Sequence, residues 1–237
     1  MSKSPKSKED SPKKSKSRKG KSKDGSEAAP RGRLIALEGT RGKDLSESVA
    51  RLARHFDNGS DTAGWSRWDA SNTFYEMRLG KSRSLSPPPR AMLLLYASDL
   101  MFRLRWEILP ALEEGRTVLA APYVESAIGV GVAIGLSMDW LVELFSFAPK
   151  PAAVLRLKEK LKEKAKKDKG KGRDKKKAFK MEPGFVEYCC KSLAAISPAW
   201  DPVEVRNGVL RYLETLEENQ GIQTVGKKPP KDLLKAR

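Results

Sequence analysis

The sequence predicts an α/β fold, a three-layer α/β/α sandwich built on a central parallel sheet. Two observations carry that reading. Short aliphatic runs such as Leu34–Leu37 and Thr117–Ala121 alternate with longer stretches whose apolar residues recur at helical spacing. Strands separated by helix-length crossovers pair in parallel, with helices on both faces of the sheet. A third observation sets the size of the folded part. Of the formal charge of +17, Met1–Arg33 carries +8, Arg156–Lys180 +10 and Gly221–Arg237 +4, which leaves −5 on the rest of the 237 residues. One mildly acidic core with basic appendages is expected.

The elements follow in order. Met1–Pro30 is rich in Lys, Ser, Pro and Gly and has no apolar residue besides Met1, Ala28 and Ala29. Such a stretch buries too little surface to offset its ordering entropy, and disorder is expected. The first strand is Arg33–Glu38, and the Val49, Leu52, Ala53, Phe56 spacing predicts a helix over about Ser46–Phe56. A short strand around Gly64–Trp68 and a helix near Thr73–Leu79 come next, then a loop over Ser82–Pro89 marked by Pro87-Pro88-Pro89. Leu94, Leu95, Met101, Leu104, Ile108 and Leu112 predict one long helix from Arg90 to Glu114. Thr117–Ala121 reads as a buried strand, followed by helices at Val124–Ile134 and Met138–Phe147 and a strand at Ala152–Leu157. Phe185, Val186, Cys189 and Leu193 form a helical pattern, Pro202–Arg206 reads as the last strand, and Gly208–Glu218 as the closing helix. The division is thus a tail over 1–32, a domain over 33–220 with a Lys-rich insertion at about 158–180, and a mobile basic tail over 221–237.

Between the first strand and first helix lies Leu37-Glu38-Gly39-Thr40-Arg41-Gly42-Lys43-Asp44-Leu45-Ser46. A strand–loop–helix of this kind is where a phosphate-binding loop, G-x-x-x-x-G-K-[ST], presents its amides and helix N-terminus to an anion. Counting from Gly39 puts Asp44 at the second glycine, Leu45 at the lysine and Ser46 at the hydroxyl. A carboxylate then faces the anion and an aliphatic chain replaces the cation. A register two residues shorter brings Gly42-Lys43 to the end of the loop but leaves Asp44 where a hydroxyl should follow the lysine. The longer register keeps Val49 and Leu52 inward and is preferred. Asp44 and Ser46 then serve as first-turn residues of the helix.

From about Arg33 to Glu218 the chain resembles thymidylate kinase, a nucleoside-monophosphate kinase of the P-loop class. The resemblance lies in Ile35-Ala36-Leu37-Glu38-Gly39, in Leu93–Leu100 ("LLFAADR" in the family) and in Ile108–Leu119 ("I-x-P-A-L-x-x-G-x-x-V-L"). It continues in Pro122-Tyr123-Val124-Glu125-Ser126 ("D-R-Y-x-x-S") and Gly135–Leu141 ("G-L-x-x-D-W"). It implies a P-loop α/β/α sandwich and a homodimer through the long helices, with Met101, Phe102 and Trp106 as buried or interface anchors. It also implies a vestigial acceptor-nucleotide site at Arg67, Arg78, Asp99, Tyr123 and Ser126 beside the vestigial phosphate loop. The departures run one way. Ala121-Pro122 stands for Asp-Arg, Leu100 for the arginine after the aspartate, Leu155-Arg156-Leu157 for Leu-Asp-Val, and a lysine run with Arg173 for the arginine lid.

The expectation is therefore a catalytically inactive thymidylate-kinase-like binding or scaffold module that needs no cofactor. One alternative is a divergent kinase passing the ATP γ-phosphoryl to dTMP or another nucleoside monophosphate, with ATP, Mg²⁺ and Lys43 or a tail lysine as its cation. Another is non-specific binding of nucleic acid or other polyanions by the Lys-rich segments, which lack aromatics except Phe179. Adjacent Cys189 and Cys190 do not suit a structural disulfide, and His55 is the only histidine, so no metal site is expected. No run is long and apolar enough to span a bilayer and no hydrophobic signal core is present, which points to the cytoplasm or nucleus.

Overall fold

The computed structural model describes residues 32–57, 63–79, 86–159 and 183–220. The expected N-terminal tail, nearly all of the Lys-rich insertion and the C-terminal tail lie outside the described residues. The sheet holds β1 (Arg33–Glu38), β2 (Ala63–Arg67), β3 (Thr117–Ala121) and β4 (Ala153–Arg156) in the order β2-β3-β1-β4, every pair parallel. Leu34 pairs with Val118 and Leu37 with Leu155, so β1 runs through the middle and β2 and β4 are the edges.

Period-two alternation divides the core. Ile35 and Leu37 point with Leu119, Ala121 and Leu155 toward α1 (Gly42–Asp57), which contributes Leu45, Val49, Leu52 and Phe56. Leu34, Ala36, Val118 and Ala120 point to the other face. There they meet α3 (Pro89–Arg103), α5 (Glu125–Ala133), α7 (Phe185–Ile196) and α8 (Pro202–Gln220). A Cβ on Gly129 would stand 3.0 Å from Val209, so a glycine lets α5 press against α8. Helices α2 (Thr73–Leu79), α4 (Leu109–Glu113) and α6 (Met138–Leu144) complete the described fold.

Two of the expected elements are corrected. The long helix over Arg90–Glu114 is interrupted by a π-helical turn at Leu104–Ile108, between α3 and α4. Pro110 supplies no amide and its ring crowds the preceding turn, and a wide turn just before it relieves both. Pro202–Arg206 is helical, the first turns of α8, so four strands stand among the described residues where five were expected. Asp201 accepts the Val203 amide at 2.9 Å, and Pro202 and Glu204 suit a helix start, which outweighs the Val203/Val205 alternation. Met101 and Trp106 are 56% and 66% exposed, and Phe102 is also exposed, so none of the three is buried.

Candidate functional site

The carboxyl ends of the strands carry the polar groups. Glu38 closes β1 and is fully buried. It accepts the amides of Val124, Glu125 and Ser126 at 2.9–3.0 Å, the Tyr123 amide at 3.4 Å and the Ser126 hydroxyl at 2.6 Å. One side chain thus caps the N-terminus of α5. Burial and the neighbouring Glu125 carboxylate push its pKa up to about 7 against the opposing pull of the Ser126 bonds. At the end of β4, Arg156 grips Glu125 through two nitrogens at 2.5 and 2.6 Å. Arg103, fully buried in α3, ties β2 to the residue after β3 by bonds to Ser66 Oγ, Ser66 O and Pro122 O.

The phosphate-loop position is short and filled. Helix α1 begins at Gly42, so only Gly39, Thr40 and Arg41 separate it from β1. This corrects the preferred register: Gly42-Lys43 ends the loop, and Leu45 is a core residue packed with Ile35 and Val49 rather than a substitute for the cation. The helix starts early because a distant group caps it. Glu187 of α7 accepts the Gly42 amide at 3.2 Å and the Gly184 amide at 2.9 Å. A Cβ on Gly42 would fall 2.5 Å from the Gly184 nitrogen, so the two backbones touch. Glu159 accepts the Thr40 amide at 3.3 Å and its hydroxyl at 2.9 Å. Arg206 of α8 closes the cluster by bonding Thr40 Oγ1 at 2.9 Å and pairing with Glu159. The Gly39 amide goes to Ser126 Oγ. The loop is an anion cradle whose anions are two glutamates of the same chain.

The remaining loop residues look outward. Arg41 pairs with Asp44 at 3.3 Å and Lys43 with Glu47 at 3.6 Å, both near the surface. Asp44 does sit in the first turn of α1 as expected. Beside the loop an open cavity of about 630 Å³ is lined by Ser46, Trp65, Arg67, Trp68, Asp69 and Glu107, among others. Arg67 lies over the Trp65 ring at 5.4 Å, and Trp68 stacks into an aromatic wall with Phe74, Phe185 and Tyr188.

Of the expected acceptor residues, Arg67 alone is seen to line this cavity. Asp99 is turned to structure: its two oxygens accept the Asp69 and Ser71 amides at 2.9 Å, bracing a turn in which Asp69 and Asn72 have φ near +60°. Tyr123 donates to Pro149 O at 2.8 Å, and Ser126 serves Glu38 and Gly39. The Arg78 side chain and Arg173 lie outside the described residues. Sequence reasoning passed over Glu159, Glu187, Arg206, Arg103 and the role of Glu38. Only Glu187 left a local trace, since it stands three residues after the helix-capping Gly184.

Comparison with known proteins now bears on the architecture. A probable thymidylate kinase of Pyrococcus abyssi is 31% identical over 137 residues, which cover 54% of this chain and 65% of that protein. A probable thymidylate kinase 2 of Saccharolobus solfataricus is 29% identical over 121 residues, 51% of this chain and 56% of its own length. Over about half its length the chain is thus similar to thymidylate kinases. The fold agrees: the crystal structure of thymidylate kinase from Ehrlichia chaffeensis superposes with a TM-score of 0.57 at 13% identity, covering 83% of this chain and 93% of that one. No family model matches. The chain spans less than two thirds of the length of these sequence relatives. Among the described residues no helix is long and apolar enough to cross a membrane.

Proposed function

We propose that this chain is a thymidylate-kinase-like binding module that does not transfer phosphoryl groups. One observation carries the reading: the amides at Thr40 and Gly42, where a nucleotide phosphate would be cradled, are bonded to Glu159 and Glu187. An anionic ligand there would meet two carboxylates and would have to break bonds that also cap α7. The residues present do not fit ATP with Mg²⁺ either. Asp44 replaces the hydroxyl after the lysine, Lys43 is engaged by Glu47, and Ala121-Pro122 offers neither a carboxylate nor a guanidinium. Phosphoryl transfer rests on positioned cations, and the buried arginines Arg156 and Arg103 are committed to holding the fold.

The cavity around Arg67 supports retention of an acceptor-type ligand, a nucleoside monophosphate whose base lies against indole and whose phosphate pairs with guanidinium. The exposed side chains Leu94, Met101, Phe102, Trp106 and Leu109 along α3, the π turn and α4 favour association with a second copy. Polyanion binding by the Lys-rich segments draws no support from the described residues. The decisive test is a coupled assay with dTMP, ATP and Mg²⁺. Turnover is expected well below about 1 s⁻¹, the low end of the usual kinase range; turnover at or above that rate overturns the proposal. Sedimentation of the protein and of Trp106→Glu tests the association, which the variant should abolish.

A further inference from the structure

The charged side chains that line the cavity of about 630 Å³ are Arg67, Asp69 and Glu107. Asp69 is occupied, since its Oδ1 accepts the Phe74 amide at 2.7 Å. Glu107 is different. Its Oε2 is buried and has no hydrogen-bond partner among the described residues. A buried acceptor without a donor is costly, and a ligand donor that reaches it removes that cost. The side chain as a whole is only half-buried, and rotation about its soft terminal bond exchanges the two oxygens.

The fold sets this carboxylate beside an indole and a guanidinium. Glu107 stands in the π-helical turn, which packs against the edge strand β2. Glu107 and Trp65 both line this cavity and a second one of about 510 Å³, so they share the wall between the two. Trp65 and Arg67 lie on one face of β2, because Ser66 between them is turned inward to Arg103. Trp65 is 54% exposed and free to stack. The wall therefore offers a cation for phosphate, a flat ring for a base and a carboxylate for donors on the edge of that base.

We infer that Glu107 selects guanine, so that the cavity takes a guanine nucleoside monophosphate; this rests on the reading that the cavity binds a nucleoside monophosphate at all. A carboxylate presents two parallel acceptors and no donor. Guanine carries two adjacent donors on one edge, N1–H and the 2-amino group. Thymine and uracil carry a single N3–H between two carbonyls, which the carboxylate repels. Adenine and cytosine each set their amino group beside an acceptor nitrogen. Guanine alone matches both oxygens.

Calorimetry on the full chain with GMP, IMP and dTMP tests this, alongside Glu107→Gln. GMP should bind at least about tenfold more tightly than dTMP, with IMP, which lacks the 2-amino group, between them. Glu107→Gln keeps the shape but offers one donor and one acceptor, the match for N3–H and a carbonyl of thymine. It should weaken GMP about tenfold and strengthen dTMP, reversing the preference. If dTMP binds the parent as tightly as GMP, the inference is overturned and the cavity reading stands. The same follows if Glu107→Gln keeps the parent's order of affinities. Binding of none of the three nucleotides overturns the inference and the cavity reading together.

Discussion

The two halves of the cleft at the carboxyl end of the sheet have fared differently. On the phosphate-loop side, Thr40 and Gly42 present their amides, and Glu159 and Glu187 fill them. On the acceptor side, Trp65, Arg67 and Trp68 line a cavity of about 630 Å³ that the chain leaves open and that reaches Gly42, Leu45 and Gly184 at the start of α1. The loop side has therefore not collapsed. Its donors keep acceptors, because buried amides left without partners would cost more than a carboxylate drawn from elsewhere in the fold. On the proposed reading, a binding loop loses its ligand by supplying an internal one, and the architecture persists with the site closed.

The largest expected effect tests the register on the closed side. Leu45 is 4% exposed among Ile35, Leu37, Val49 and Leu52. Leu45→Lys, which would restore a lysine under the longer register, should instead bury a charge and remove packing. A loss of about 3–5 kcal/mol of unfolding free energy in urea is expected. Unchanged stability with a gain in ATP affinity would return Leu45 to the loop and dissolve the contrast between the two halves.

Next comes the carboxylate that underlies both halves. The pKa of Glu38 is raised from 4.5 in the unfolded chain to about 7, so the folded state holds a proton there that the unfolded state has lost. Its contribution to stability is fully present below about pH 4.5 and is lost as pH rises through about 7. Glu38→Gln keeps the shape without the titration. Between pH 4.5 and 7.5 the parent should lose about 3 kcal/mol relative to this variant, measured by urea unfolding. A parallel pH dependence of the two proteins would show that the five donors around Glu38 outweigh its burial.

These two side chains also show what the sequence disclosed and what it withheld. β1 and β3 were legible to the residue, since Leu34–Leu37 and Thr117–Ala121 are buried on both faces and read as continuous apolar runs. The helix start at Gly42 was not. It depends on Glu187, 145 residues away, and no local pattern reports a cap supplied at that distance. Arg206 was hidden because Val203 and Val205 alternate like a strand, although Asp201-Pro202 had already announced a helix. The losses at Leu100, Ala121 and Pro122 were visible as substitutions. That Glu159 and Arg206 would occupy the loop at Thr40 was a fact of tertiary structure alone.

A smaller effect asks whether the cradle still works when vacated. Glu159→Ala frees the Thr40 amide and hydroxyl together with the Arg206 guanidinium. Calorimetry with inorganic pyrophosphate should show affinity rising about tenfold, or about 1.4 kcal/mol, over the parent protein. Glu159→Asp, which keeps the charge, should give much less. No gain in Glu159→Ala would mean that the Gly42–Gly184 contact, rather than the carboxylate, shuts the loop.

The smallest effect concerns the open side. Arg67 is seated over the Trp65 ring and borders the cavity, so Arg67→Ala should cost about 0.5–1 kcal/mol of stability at most, the range for an exposed cation–π contact. Its effect on ligand binding is the sharper reading. If the cavity takes a nucleoside monophosphate, dTMP at ten times its Kd should stabilise the parent by about 1.4 kcal/mol in a thermal melt. Arg67→Ala should remove most of that shift, while Arg67→Lys keeps the charge and should retain part of it. Neither variant should alter the response to pyrophosphate, whose donors at Thr40 and Arg206 do not line that cavity. A parent protein unmoved by any nucleoside monophosphate would make both halves equally closed to nucleotide. The function of the fold would then lie in its exposed helical face and not in the cleft.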